Sequence, residues 1–242
     1  MSLPNSLAFD SKPHPHTKLL LCYVTGRLSL EVAPRKDLLE PLLDKIDLVA
    51  AAGVDWIQIR EKDLSGKQAA SLTREALGRV SKQATHTRPA IRILVNDRLD
   101  VAIAEQAGGV HLGENSLPVQ EAKRLLLASQ AAQSLSRDFL VGVSCHSMEA
   151  AKSAASAGAD YIFFGPVFPT PSKAAYGAPK GLERLAEVCV SVTTPVLAIG
   201  GITLENAPLC FSAGAFGIAA IRLFQDSADP ASIVNALRQQ NL

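Results

Sequence analysis

Residues 139–168 read FLVGVSCHSMEAAKSAASAGADYIFFGPVF, and the order of patterns in this stretch decides the fold. An apolar run at 139–145 ends on Cys145. Ser147 then opens an amphipathic helical pattern over 147–157, Ala157-Gly158 closes it, and a second apolar run follows at 161–168. Serine suits a helix start because its hydroxyl takes a first-turn amide proton. Glycine suits the end because it enters the left-handed conformation at little cost. Strand, helix and strand in so short a span make a βαβ unit, which joins parallel strands.

Working outward, the same alternation fills the chain. The periodicity predicts strands at 19–25, 56–62, 91–97, 109–113, 139–145, 161–168, 195–201 and 215–223. Helices are predicted at 38–52, 65–84, 99–107, 117–130, 147–157, 181–192, 203–213 and 230–240. Four of these helices end in Ala-Gly, at Gly53, Gly108, Gly158 and Gly214, each just before a strand. Eight βα units predict an α/β fold, a single-domain (β/α)8 TIM barrel over 18–242. Residues 1–17, with His14 and His16, are expected to form a flexible N-terminal tail. A doubly wound open sheet is the alternative, but no glycine-rich dinucleotide fingerprint follows the first strand.

Composition narrows the function. The chain has 242 residues, 48% hydrophobic and 19% charged, with 24 Lys+Arg against 23 Asp+Glu. A formal net charge of +1 supplies no general attraction for nucleic acid or an acidic membrane. No stretch approaches the roughly 20 apolar residues of a membrane span. Cys22, Cys145, Cys189 and Cys210 are scattered without a C-x-x-C pair, which suits reduced core residues of a cytoplasmic protein.

In a barrel the loops after the strands build the site. Those at 26–37 and 169–180 are long, whereas 131–138 precedes a strand and serves as a spacer on the opposite face. On strand 56–62, alternation puts Gln58, Arg60 and Lys62 inside the barrel and Ile57, Ile59 and Glu61 outside. Two inward cations demand anions. Either a phosphorylated ligand or carboxylates such as Asp97 would serve. Asn96-Asp97 ends the third strand, where Asp97 could hold Mg²⁺ or the pair could form an Asx turn into the next helix. Thr170, Pro171, Ser172 and Lys173 make a phosphate cradle or a solvated loop. Gly200-Gly201 ends strand seven, Thr203 is expected to cap the next helix, and Arg222 on strand eight calls for a phosphate or carboxylate. His111 reads as a hydrogen-bonded core histidine. His146 reads equally as a turn residue and as a general acid/base.

The runs Gln58-Ile59-Arg60-Glu61-Lys62, Asn96-Asp97, Gly109-Val110-His111-Leu112-Gly113, Gly142-Val143-Ser144, Gly165-Pro166-Val167-Phe168-Pro169-Thr170 and Ile199-Gly200-Gly201-Ile202 resemble the thiamine phosphate synthase family. Their order and spacing match across residues 19–242. The resemblance implies a barrel that joins a pyrimidine diphosphate to a thiazole phosphate, giving thiamine phosphate and pyrophosphate with Mg²⁺ as cofactor. It assigns the whole Gln58–Lys62 run, Ile59 and Glu61 included, to substrate, together with Asn96, Ser144, Thr170, Pro171, Ser172, Lys173, Gly201, Ile221 and Arg222. Arg60, Lys62, Ser144, Lys173 and His146 become the catalytic candidates. Asp97 becomes the metal ligand, with Ser116 where the family places a second metal-binding aspartate.

A sister family, the thiazole tautomerases, is the alternative. It shares the barrel, needs no diphosphate-holding metal, and uses a histidine at the His146 position. A non-catalytic phosphate-binding barrel is the third reading. The expected partners are the two phosphorylated small molecules, with a homodimer as the one assembly entertained and neither nucleic acid nor membrane.

Overall fold

The computed structural model describes residues 19–30, 38–83, 91–131, 138–170 and 178–239. The expected tail at 1–17 and most of the spacer at 131–138 lie outside them. Eight parallel strands close on themselves in chain order: β1 (Leu20–Val24), β2 (Trp56–Ile59), β3 (Arg92–Asn96), β4 (Gly109–Leu112), β5 (Leu140–Cys145), β6 (Tyr161–Phe164), β7 (Val196–Ile199) and β8 (Gly217–Ala220). β8 pairs in parallel with β1, Leu20 opposite Gly217, which closes the barrel. The helices between them are α1 (Leu39–Ala52), α2 (Gly66–Ser81), α3 (Leu99–Ala104), α4 (Val119–Ala131), α5 (Met148–Ser156), α6 (Gly181–Ser191) and α7 (Ala207–Ser212). A short α8 (Arg222–Gln225) and α9 (Pro230–Gln239) follow β8.

Alternation along the strands divides the core in two. Leu20, Cys22 and Val24 of β1, Trp56, Leu94, Tyr161, Phe163, Leu197 and Ala219 fill the barrel. Leu21, Tyr23, Ile57, Ile59, Val95, Val110 and Ile162 face the helices. Tyr161 fits inside because Gly142 stands opposite it in register, where a Cβ would lie 1.9 Å from its ring. The four cysteines are free thiols. Burial pushes Cys145, Cys189 and Cys210 up to about 12, so they act as small apolar residues.

The Ala-Gly repeat works as expected at Gly53, Gly158 and Gly214, with φ of 94°, 84° and 92°. Gly108 is different. There Gln106 takes the left-handed conformation (φ 53°), and Gly108 instead leaves room for the Arg92 side chain, which a Cβ would meet at 2.4 Å. Ser147 caps α5 by accepting from the Ala150 amide. Thr203 does not cap α7. That helix begins at Ala207, and Thr203 forms a turn with Asn206 through reciprocal hydrogen bonds of 2.8 and 3.3 Å.

Two aspartates staple the end of the barrel away from the βα loops. Asp55 Oδ2 accepts from the Leu21 amide at 2.8 Å and from Arg238 Nη2 at 2.6 Å. Asp160 accepts from the Val141 amide and from Lys123 Nζ, both at 2.7 Å. Asp55 ties β1, β2 and α9 together across the chain ends. Asp55→Ala leaves the buried Leu21 amide and the half-buried Arg238 guanidinium short of an acceptor, so a loss of about 1.5–3 kcal/mol is expected. A melting curve should show a drop of several degrees, with activity at 25 °C unchanged because the site lies at the other end.

Candidate active site

At the mouth, the inward strand positions turn from apolar to polar. Gln58 is 1% exposed, and its Nε2 donates to Asn96 Oδ1 at 2.9 Å. Asn96 Nδ2 donates in turn to Asp97 Oδ2 at 2.8 Å. Gln58 Oε1 is buried with no hydrogen-bond partner. A buried, unsatisfied acceptor costs free energy, so one retained at a barrel mouth points to a ligand donor.

On the neighbouring strand, β4, His111 stands in register beside Asn96; at 2% exposed it confirms the core reading and does more. Its Nδ1 lies 3.1 Å from the Tyr161 hydroxyl and its Nε2 lies 2.9 Å from Ser144 Oγ. Its ring stacks on Phe163 at 4.2 Å and 34°. Burial pushes the Tyr161 phenol well above its ordinary value, so it stays protonated. Ser144 therefore rests on a fixed imidazole. Tyr161 escaped the sequence reading, although the small Gly142 opposite an inward tyrosine position was a legible sign of it.

Of the two roles left open for Asn96-Asp97, the turn into the next helix is made without a side-chain cap. With φ at 58° Asp97 turns left-handed at the end of β3, a conformation aspartate tolerates better than most residues. Its side chain reaches across to β4 instead, where Oδ1 accepts from the Gly113 amide at 2.8 Å and from Ser116 Oγ at 2.5 Å. Burial pushes this carboxyl up. Ser116, Gly113, the nearby Lys62 charge and Asn96 together outweigh it and leave the group below its ordinary value. Ser116 thus supports Asp97, with its hydroxyl proton spent on that carboxylate.

Several expected positions change. β2 ends at Ile59, so Arg60 and Lys62 lie past the strand at the rim, half-buried and exposed, and not inside the barrel. A dry interior cannot hold two cations, and ending the strand early gives both access to water. Among the described residues neither makes an ion pair. Ile59, 3% exposed, belongs to the layer under the helices and only floors a cleft of about 260 Å³ whose rim carries Lys62, Asn96 and Asp97. Glu61 turns away to Thr25 and Arg27. β8 ends at Ala220. Ile221 follows the inward positions Gly217 and Ala219 and packs against the barrel interior, which sends Arg222 outward, exposed, as the first residue of α8.

His146 Nδ1 makes a very short contact with the Gly165 carbonyl oxygen, which sets that nitrogen as the donor and ties β5 to β6. Gly200 and Gly201 have φ of 95° and 67°, and a Cβ on Gly201 would lie 2.5 Å from the Pro169 carbonyl oxygen. Only glycine lets the β7 loop nest against 166–169, where Thr170 is half-buried. Pro171, Ser172 and Lys173 lie outside the described residues. No helix among the described residues is long and apolar enough to cross a membrane.

The chain is similar to known proteins in sequence and in fold. A family model described as thiamine monophosphate synthase matches residues 30–224. The thiamine-phosphate synthase of Methanoculleus marisnigri is 40% identical over 197 residues, covering 81% of this chain and 86% of its own. That of a Roseiflexus species is 38% identical over 194 residues, covering 79% and 76%. The solved thiamine phosphate pyrophosphorylase from Pyrococcus furiosus matches with a TM-score of 0.74 at 29% identity, over 93% of this chain and 96% of that one. A 3-hexulose-6-phosphate synthase, at 17% identity and a TM-score of 0.62, shares the fold alone. These relatives lend no support to the tautomerase or non-catalytic readings. By its matched length and by its relatives, the chain belongs to the thiamine monophosphate synthase family, transferases of thiamine biosynthesis.

Proposed function

We propose that this barrel joins a pyrimidine diphosphate to a thiazole phosphate at the mouth ringed by Gln58, Arg60, Lys62, Asn96, Asp97 and Ser144, releasing pyrophosphate. The observation that carries this assignment is the buried, unpartnered Gln58 Oε1. An aminopyrimidine offers an amino donor of the kind that this acceptor lacks. Ser144, steadied by His111, supplies a second polar contact to the ring across the barrel. Arg60 and Lys62, neither in an ion pair among the described residues, are placed to take the diphosphate and the charge that grows on it as it leaves. The nested Gly200-Gly201 loop offers backbone groups to the thiazole phosphate.

Asp97 fits a magnesium ion. Its Oδ2 accepts a single hydrogen bond and keeps a free lone pair at the rim of the cleft. Among the described residues no three His, Cys, Asp or Glu groups converge. That donor set suits Mg²⁺, which binds through one or two carboxylates with substrate phosphates and water. When bound, the ion neutralises phosphate charge. The chain's own part is to hold Asp97 ionised and aimed.

Incubation with both phosphorylated substrates and Mg²⁺ should yield thiamine phosphate and pyrophosphate, and EDTA should stop it. Gln58→Leu removes the ring acceptor and should raise KM for the pyrimidine diphosphate about 10–100-fold. His146→Ala should reduce turnover only modestly, since pyrophosphate departure needs no base there. Thiazole tautomerisation that survives EDTA and is lost in His146→Ala, with no thiamine phosphate formed, would overturn the assignment.

A further inference from the structure

The run Arg60-Glu61-Lys62-Asp63 alternates in charge, plus and minus, at the rim of the site. Left to itself such a run pairs internally and offers little net attraction to an anion. The structure arranges it otherwise. Arg27, in the turn after β1, donates from Nη1 to Glu61 Oε2 at 3.0 Å and to Asp63 Oδ1 at 2.7 Å. Its Nη2 reaches Asp63 Oδ2 at 2.5 Å, and its backbone amide lies 3.2 Å from both Glu61 oxygens. Thr25 Oγ1 completes the arrangement, donating to Glu61 Oε1 at 2.6 Å and accepting from the Arg60 amide at 2.9 Å.

One guanidinium therefore holds both carboxylates of the run. The Glu61 side chain is only 3% exposed, so its charge needs this partner. Hydrogen bonding to Arg27 also keeps Asp63 below its ordinary value, against the opposing effect of burial. Neither Arg60 nor Lys62 has a carboxylate ion pair among the described residues. We propose that Arg27 is a positioning residue for anion binding, sequestering Glu61 and Asp63 so that Arg60 and Lys62 remain available to the diphosphate. This rests on the assignment of those two cations to the diphosphate. Arginine suits the task because its planar fork engages two carboxylates at once, which a lysine ammonium does poorly.

The test is calorimetric titration of the full chain with inorganic pyrophosphate and Mg²⁺, alongside the synthase assay. Arg27→Ala frees both carboxylates to compete for Arg60 and Lys62, and the affinity for pyrophosphate should fall about 10-fold. The triple variant Arg27→Ala/Glu61→Gln/Asp63→Asn keeps the loop contact broken but removes the competing charges, and should recover to within about threefold of wild type. A residue that merely braced the loop would not be rescued in this way. Arg27→Lys, which keeps a cation and loses the fork, should bind about threefold more weakly and be restored by Asp63→Asn. It carries the test should Arg27→Ala not fold. Wild-type affinity in Arg27→Ala, or a triple variant as weak as Arg27→Ala, would overturn the role of Arg27 and leave the synthase assignment standing. A wild-type protein that binds no pyrophosphate overturns the diphosphate assignment and this role together.

Discussion

Arg60→Ala should lose about 10²–10³-fold in kcat/KM, as when one preorganised charge-stabilising group is removed from other active sites. The melting temperature should stay within about 2 °C of wild type, or rise. Arg60 is half-buried beyond the end of β2 and has no ion-pair partner among the described residues. Its guanidinium pays part of its hydration without compensation until an anion arrives. Deleting it thus removes a transition-state contact and relieves the unliganded protein. Its backbone amide, which bonds to Thr25 Oγ1 at 2.9 Å, survives the substitution, so the turn is kept. Steady-state kinetics and a thermal melt on one preparation decide the matter. A protein that unfolds on this change would place Arg60 in the framework and remove it from the site.

Ser116→Asp should reverse its effect on stability according to metal. The Ser116 hydroxyl now donates to Asp97 Oδ1 at 2.5 Å. A carboxylate in its place turns that bond into repulsion between like charges, so without metal the variant should melt several degrees lower, a loss of about 1–3 kcal/mol. Mg²⁺ gains a second anionic ligand there. The variant's melting temperature should climb with Mg²⁺ in the absence of substrate while wild type hardly responds. Half-maximal synthase activity should need about 10-fold less Mg²⁺ in the variant, reflecting the added ligand charge. Equal Mg²⁺ responses in both proteins, in melting and in activity, would remove the metal from Asp97.

The sequence alone determined the architecture. Eight strands and their order follow from local patterns repeated every two or three to four residues, and those patterns are strong wherever one face is buried. Ser147 as a cap and Gly53, Gly158 and Gly214 as helix ends were legible for the same reason: each answers a need of its nearest neighbours. Gln58 inside the barrel followed from simple alternation. Arg60, Lys62 and Arg222 do not follow it, because alternation holds only while the strand lasts, and β2 and β8 end before them. Where a strand ends depends on the cost of carrying charge into the closed interior.

The tertiary structure decided what each polar group does. His111 meets Ser144 across 33 positions, Ser116 meets Asp97 across 19, and Arg27 meets Asp63 across 36. None of these pairings has a periodicity to announce it. They exist because closing the barrel brings the ends of neighbouring strands and their loops together, and the registers of β1 with β2, β3 with β4 and β4 with β5 choose which side chains come within hydrogen-bonding reach. The residue types of the site were therefore readable from the chain. Their partners were set by closure, since a hydrogen bond depends on separations of a few tenths of an ångström that only the folded geometry supplies.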